Sequence, residues 1–168
     1  MTSLVVLAVG NDARGDDALG PLLMARLDAL DPPGVARVLD FQLQVEHALD
    51  LDGVALALFV DAHCRQAAPV ALAPIQAEPT TGASHALSPA QVLGVGRRIG
   101  RAMPEAWLMS LAGADFSLGQ GLSPVGQASL EAGWRCLQAL LANPTGEAWR
   151  ALAQGLGELA GVVDTLGS

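Results

Sequence analysis

The sequence predicts a three-layer α/β/α sandwich built on a mixed, mostly parallel five-stranded sheet. Short, continuously apolar runs rich in β-branched residues alternate with segments of helical periodicity, which is typical of buried parallel strands joined by crossover helices. The chain has 168 residues, a length that suits one domain. Hydrophobic residues make up 51% of the chain and charged residues 15%, which is enough apolar material for a core.

The first strand and its turn organise the rest of the chain. Residues 3–9 are continuously apolar and predict a buried strand. A helical pattern follows, and Pro21 prevents a regular helix from beginning before about Ala18, because its ring would clash with the carbonyl four residues earlier. Asp16 and Asp17 therefore lie in the loop or at the helix N-cap. This is the carboxyl edge of the first strand, where open α/β sheets bind ligands.

The remaining elements follow in order. The link between residues 61 and 70 is short and has no helical pattern, so the fourth strand should run antiparallel to its predecessor. Residues 77–84 can extend to about 26 Å and return His85 to the edge that carries Asp17 and Asp61. Further strands are predicted at 35–39, 54–60, 70–75 and 106–111, and helices at 45–51, 89–99 and 125–141, the last two with Ser-Pro caps at 88–89 and 123–124.

The C-terminal tail is expected to add little to the domain. Asn143 and Pro144 stop the last long helix, and the glycines that follow weaken the helical pattern. We therefore expect a domain over residues 1–143 and a weakly helical tail over 144–168.

Composition excludes several classes of function. The net charge of −8 argues against nucleic acid as a partner. No apolar stretch reaches the roughly 20 residues that span a membrane, and no signal peptide is evident at the N-terminus. Two cysteines are too few for a disulfide framework. These features predict a cytoplasmic protein without a membrane partner.

The turn at residues 10–20 has the position of a nucleotide-binding loop but not its chemistry. Asp16 and Asp17 stand where a P-loop has Lys and Ser or Thr, and the G-x-G-x-x-G pattern is absent. Two carboxylates repel a phosphate and suit a cation or acid–base work. We therefore expect no nucleotide cofactor. For Asp16 alone, a capping or solvated role is the simpler interpretation.

Three side chains converge on the predicted sheet edge: Asp17, Asp61 and His85. One histidine and two carboxylates form a plausible metal-ligand set, although they lack a local motif such as H-E-x-x-H. Each also has an ordinary alternative, as a helix cap or a loop residue. His63 and Cys64 lie close enough to Asp61 in sequence to supply a fourth ligand.

Two other titratable residues are interpreted as structural. Cys136 falls on the apolar pattern of the last long helix and is expected in the core. His47 lies beside Glu46 and Asp50 in a short helix and is expected at the surface.

Three motifs resemble those of the hydrogenase maturation proteases. They are the turn at 10–20, the strand end at 60–62, and the segment Ser84-His85-Ala86-Leu87-Ser88-Pro89. The resemblance covers about residues 4–141. It implies an endopeptidase that trims the C-terminus of the large-subunit precursor of nickel–iron hydrogenases.

The resemblance also implies roles for individual residues. Asp17, Asp61 and His85 would bind a metal, taken to be nickel already inserted in the substrate. Asn11 and Gly15 would shape the substrate-binding turn. Asp17 departs from family members that have Glu there and is one methylene shorter.

Two questions remain open at this stage. Catalysis would use either metal-activated water or a carboxylate base from the Asp16–Asp17 pair. The alternative function is a non-catalytic, metal-sensing assembly chaperone or binding module with the same ligands.

Overall fold

The computed structural model of the chain describes residues 2–80 and 86–166. Within them, five strands form one sheet in the order β2-β1-β3-β5-β4. The strands are β1 (Leu4–Val9), β2 (Val35–Asp40), β3 (Leu56–His63), β4 (Val70–Ile75) and β5 (Glu105–Ala112). The helices are α1 (Leu19–Leu30), α2 (His47–Asp50), α3 (Pro89–Arg98), α4 (Pro124–Ala142) and α5 (Gly146–Leu166), and a 3₁₀ turn at Gly15–Ala18 precedes α1.

The sheet has two apolar faces, and helices cover both. Alternate residues of β1 point to opposite faces, so Val6 packs with α1, α4 and α5, whereas Val5 packs with α2 and α3. Both valines are buried, with 1% and 0% of their surface exposed. The predicted three-layer α/β/α sandwich with a mixed, mostly parallel sheet is confirmed.

Local sequence signals set several boundaries as expected. The helix containing Pro21 begins at Leu19, after the 3₁₀ turn. Ser88 caps α3 through a capping box: its hydroxyl accepts from the Gln91 backbone N–H at 3.2 Å, and the Gln91 side chain accepts from the Ser88 N–H at 2.9 Å. Ser123 caps α4 through its hydroxyl alone, which accepts the Gly126 backbone N–H at 3.0 Å.

The fourth strand has the predicted direction and lies at the edge of the sheet. β4 runs antiparallel to β5, which is inserted between β3 and β4. Pro74 lies within β4, and an edge strand tolerates proline because one of its sides needs no hydrogen-bond donor. β5 is apolar on both faces and occupies an interior position.

The tail is more regular than its glycines indicate. α5 extends from Gly146 to Leu166 and packs against β4. Trp149 is 1% exposed, donates its indole N–H to the Leu140 carbonyl at 3.0 Å, and meets Trp107 edge-to-face with ring centroids 6.3 Å apart. The sequence interpretation underestimated this tail because one buried tryptophan stabilises a helix more than several exposed glycines weaken it.

None of the helices in the described part of the chain has both the length and the hydropathy to cross a membrane.

We expect Trp149→Ala to lower the free energy of unfolding by about 3–5 kcal/mol, because it leaves a cavity beside Trp107. Leu159→Ala on the same helix is the matched control. Leu159 is 67% exposed, so its truncation should change stability by less than about 0.5 kcal/mol. Urea denaturation measures both. Equal effects of the two variants would show that α5 does not belong to the core.

Candidate functional site

The 3₁₀ turn places Asp17 at the carboxyl end of β1. Its Oδ2 accepts a hydrogen bond from the Asn11 backbone N–H at 2.9 Å, which fixes the half-buried carboxyl across the turn. Gly10 makes this turn possible, because a Cβ there would lie 2.0 Å from the Asp17 carbonyl oxygen. The predicted position of Asp17 at this edge agrees with the structure.

Asp61 reaches the same edge from β3. It lies opposite Ser110 of β5, near the carboxyl end of the strand. β1 and β3 are parallel neighbours, so their carboxyl ends are adjacent. The sheet therefore brings Asp17 and Asp61 together, although 44 residues separate them in sequence.

The two carboxylates line one cavity of about 310 Å³. Its remaining walls are largely apolar and come from β1, β3, the segment after β2 and the start of α3. Residues that line these walls include Leu7, Phe41, Gln42, Leu43, Phe59, Ala86, Leu87, Ser88 and Pro89. The cavity thus combines two acidic groups with an apolar surface, as a site for part of a larger molecule would.

The environment of Asp61 opposes its ionisation. The residue is exposed by surface area, but the cavity walls displace part of the water around its carboxyl. This desolvation raises the pKa of Asp61 most strongly, a hydrogen bond from the Ala62 backbone lowers it, the charge of Asp17 raises it again, and His63 lowers it. The net pKa is about 6.

Two like charges in one recess suit a cation. The charge of Asp17 disfavours the ionised form of Asp61, and a bound metal ion would remove that repulsion. Carboxylate oxygens are ligands for divalent metals. The two acids therefore fit a metal ion, but two ligands are fewer than a protein site normally supplies.

The third predicted ligand, His85, lies outside the described residues. The residues that follow it, Ala86, Leu87 and Ser88, line the cavity. Among residues 2–80 and 86–166, no group of three or more His, Cys, Asp or Glu side chains is arranged to hold a metal. A complete metal site with His85 therefore stays a prediction.

His63 and Cys64 do not complete the site within the described structure. Both are exposed, and neither belongs to the cavity lining. The His63 Nδ1 accepts the Arg65 backbone N–H at 3.1 Å, which occupies one ring nitrogen. Cys136 is buried in the core as predicted, and burial raises the pKa of its thiol to about 11.

Asp16 has no exposed surface and anchors the loop between β5 and α4. Its Oδ2 accepts the backbone N–H groups of Ala114 and Asp115 at 2.7 and 3.1 Å. Its Oδ1 accepts the Ser123 N–H at 2.8 Å, and the Ser123 hydroxyl donates to Oδ2 at 2.5 Å. Burial raises the pKa of Asp16, but the four hydrogen bonds together lower it by more. The net pKa is therefore below its ordinary value.

The sequence interpretation made Asp16 a helix cap or a solvated residue. In the structure it is neither, and its hydrogen bonds hold a distant loop instead. The carboxylate caps neither end of α1 and has no contact with solvent. Asp16 has no exposed surface and does not line the cavity, so its carboxylate does not meet water there. The general-base role that the sequence left open for Asp16 is therefore not the role that its surroundings favour.

Two small residues allow the loop to approach Asp16. A Cβ on Gly126 would lie 2.1 Å from the Asp16 Oδ1, and one on Gly113 would lie 2.9 Å from the Asp16 Cβ. The first turn and the loop also exchange backbone hydrogen bonds: the Asp16 N–H donates to the Asp115 carbonyl at 2.7 Å. The turn that carries Asp17 is therefore fixed by tertiary contacts.

Asn11 and Gly15, predicted to shape a substrate-binding turn, support its conformation. The Asn11 Oδ1 accepts the Ala13 N–H at 2.9 Å. Gly15 has φ of 52° and is buried, and its N–H donates to the Gln120 carbonyl at 3.1 Å. Their contact with a substrate stays a prediction.

The prediction of a surface position for His47 was wrong. Only 7% of its surface is exposed, and its Nε2 lies 3.3 Å from the Asp40 Oδ2. Asp40 is itself a strand-end acid at this edge of the sheet that sequence reasoning did not single out. Its position after an apolar run, like that of Asp61, was the available signal. Burial of His47 has no local signal, because α2 has only four residues.

We expect Asp16→Asn to lower the free energy of unfolding at pH 7 by roughly 2–4 kcal/mol. The amide NH₂ group would replace one carboxylate oxygen, and a donor would then face the N–H and O–H groups that this oxygen accepts from. The stabilising contribution of the lowered pKa exists above the unfolded value of 3.8 and disappears as the pH falls through the folded value. The difference between wild type and variant should therefore shrink in acid. A difference in urea unfolding that is independent of pH would contradict this role.

Asp61→Asn should have the opposite effect. A folded pKa of about 6 exceeds the ordinary 3.8, so ionisation of Asp61 destabilises the fold at pH 7 and not below about pH 3.8. The variant should unfold at higher urea concentration than wild type at pH 7, and the difference should vanish near pH 4. Asp50→Asn, on the exposed surface of α2, is the control and should change little at either pH.

No protein-family model matches the chain, and no curated protein sequence matches it. Solved structures do. The hydrogenase maturating endopeptidase HybD from E. coli is 22% identical, with a TM-score of 0.68 over 86% of this chain and 94% of its own. The NiFe hydrogenase maturation protease HycI from Thermococcus kodakarensis is 24% identical, with a TM-score of 0.62 over 84% and 94% of the two chains.

A third structure extends the likeness to another lineage. The hydrogenase 2 maturation peptidase from a Thaumarchaeota archaeon is 20% identical, with a TM-score of 0.62 over 84% of this chain and 99% of its own. At identities of 20–24%, these comparisons establish architecture. The chain has the fold of the hydrogenase maturation endopeptidases.

Proposed function

We propose that the chain is a hydrogenase maturation endopeptidase that removes a C-terminal extension from the large-subunit precursor of a nickel–iron hydrogenase. The observation that carries the proposal is that Asp17 and Asp61 share one cavity at the carboxyl edge of this fold. The similarity in fold to solved maturation proteases supports the proposal. The three sequence motifs support it as well, because they resemble the motifs of the same family.

Nickel carried by the precursor is the recognition element in this proposal. Asp17, Asp61 and His85 would bind it, and the precursor's own ligands would complete the coordination. Two carboxylates and one imidazole bind first-row ions only moderately, so the protein alone should hold little metal. This arrangement restricts cleavage to precursors that already contain nickel.

We assign the cleavage chemistry to the same cavity. Four hydrogen bonds and the absence of exposed surface argue against Asp16 as the base. Asp61 binds nickel in this proposal, so its carboxylate is not free to serve as the base. We therefore propose that Asp17, held by the Asn11 N–H, and Asp61 hold the nickel-loaded precursor in this cavity, where water attacks it.

The decisive experiment incubates the purified protein with nickel-loaded and nickel-free precursor and measures precursor mass. We expect loss of a C-terminal peptide from the nickel-loaded form only. Asp17→Asn, Asp61→Asn and His85→Ala should abolish it, whereas Asp50→Asn should not.

Other outcomes have distinct meanings. Nickel-dependent binding without mass loss would replace the endopeptidase by a metal-sensing chaperone. Equal cleavage of nickel-free precursor, together with stoichiometric metal in the isolated protein by elemental analysis, would show that the metal is a resident catalytic cofactor.

A further inference from the structure

One wall of the cavity is a short segment without regular secondary structure. Phe41, Gln42 and Leu43 line the cavity and connect the end of β2 to α2. Phe41 is 72% exposed, so this wall is accessible to a large molecule. Such a segment needs tertiary contacts to keep one conformation, because no ladder or helix fixes its backbone.

The buried imidazole of His47 joins the two ends of this segment. Its Nδ1 accepts the Gln44 backbone N–H at 2.8 Å, at one end. Its Nε2 lies 3.3 Å from the Asp40 Oδ2, at the other end. Since Nδ1 accepts, Nε2 carries the hydrogen and faces the Asp40 carboxylate. The imidazole therefore spans the segment, with Nδ1 hydrogen-bonded at one end and Nε2 beside the Asp40 carboxylate at the other.

Both ends of the segment are also tied to the rest of the site. The Asp40 carbonyl accepts the Gly10 N–H at 3.1 Å, and its Oδ1 accepts the Phe41 N–H at 2.7 Å. The Leu43 carbonyl accepts the Leu87 N–H at 3.1 Å. A shift of the segment would thus reach both the turn of Asp17 and the residues that precede α3.

We infer that His47 is a positioning residue that fixes the cavity wall formed by Phe41, Gln42 and Leu43, and so sets how well the site binds its substrate. His47 acts through that wall and is not part of the cavity lining. The inference rests on the proposed function for its substrate, the nickel-loaded precursor, but its structural part is testable without activity.

Three variants separate the two contacts. His47→Leu keeps a buried side chain and removes both contacts. His47→Asn retains an acceptor near the position of Nδ1, and His47→Gln retains a donor near that of Nε2. The readout is amide hydrogen exchange at Gln44. We expect lost protection in H47L and H47Q, and largely restored protection in H47N.

The kinetic readout distinguishes positioning from general stability. For nickel-loaded precursor, H47L should raise KM by roughly tenfold with kcat within about twofold, equivalent to about one hydrogen bond. Trp149→Phe is the matched control, because it removes a buried hydrogen bond on the opposite face of the sheet. It should lower the melting temperature without changing KM.

Unchanged Gln44 protection in a folded H47L variant would overturn the inference, as would a KM increase of equal size in Trp149→Phe. If H47L does not fold, the contrast between H47N and H47Q provides the same test. If wild-type protein cleaves no precursor, the proposed function fails, while the exchange data still decide whether His47 holds the wall.

Discussion

The buried carboxylate of Asp16 is the contact on which the geometry of the site depends. An ionised carboxylate without solvent is very unfavourable unless donors surround it. Here four hydrogen bonds come from the loop between β5 and α4, so the first turn of the chain and this distant loop must fold together. Asp17 is the next residue of the same turn, so these contacts also fix its position.

Asp16 and Asp61, two acids near the same edge of the sheet, have opposite environments. Donors around Asp16 lower its pKa, whereas desolvation and the charge of Asp17 raise that of Asp61. The first group is structural and keeps its charge to lower pH than an ordinary aspartate, whereas the second changes its charge near pH 6. The two aspartates therefore differ because hydrogen-bond donors surround Asp16 and not Asp61, although the residue type is the same.

Sequence reasoning was reliable where the deciding interactions are local. Pro21 set the start of α1, and the Ser-Pro pairs set the starts of α3 and α4. It also placed Asp17 and Asp61 at one edge, because parallel strands end together. It did not identify the loop that Asp16 binds, the burial of His47 or the core contact of Trp149. Each of these depends on partners that become neighbours only in the folded chain.

The two faces of the sheet differ in the size of the helices that cover them. Both core tryptophans and the longest helices lie on one face, while the cavity opens on the other, beside the four-residue α2 and the irregular segment at 41–44. Phe41 in that segment is 72% exposed, so a substitution there removes little core packing. The surface presented at this wall can therefore change while the packing of the opposite layer stays intact.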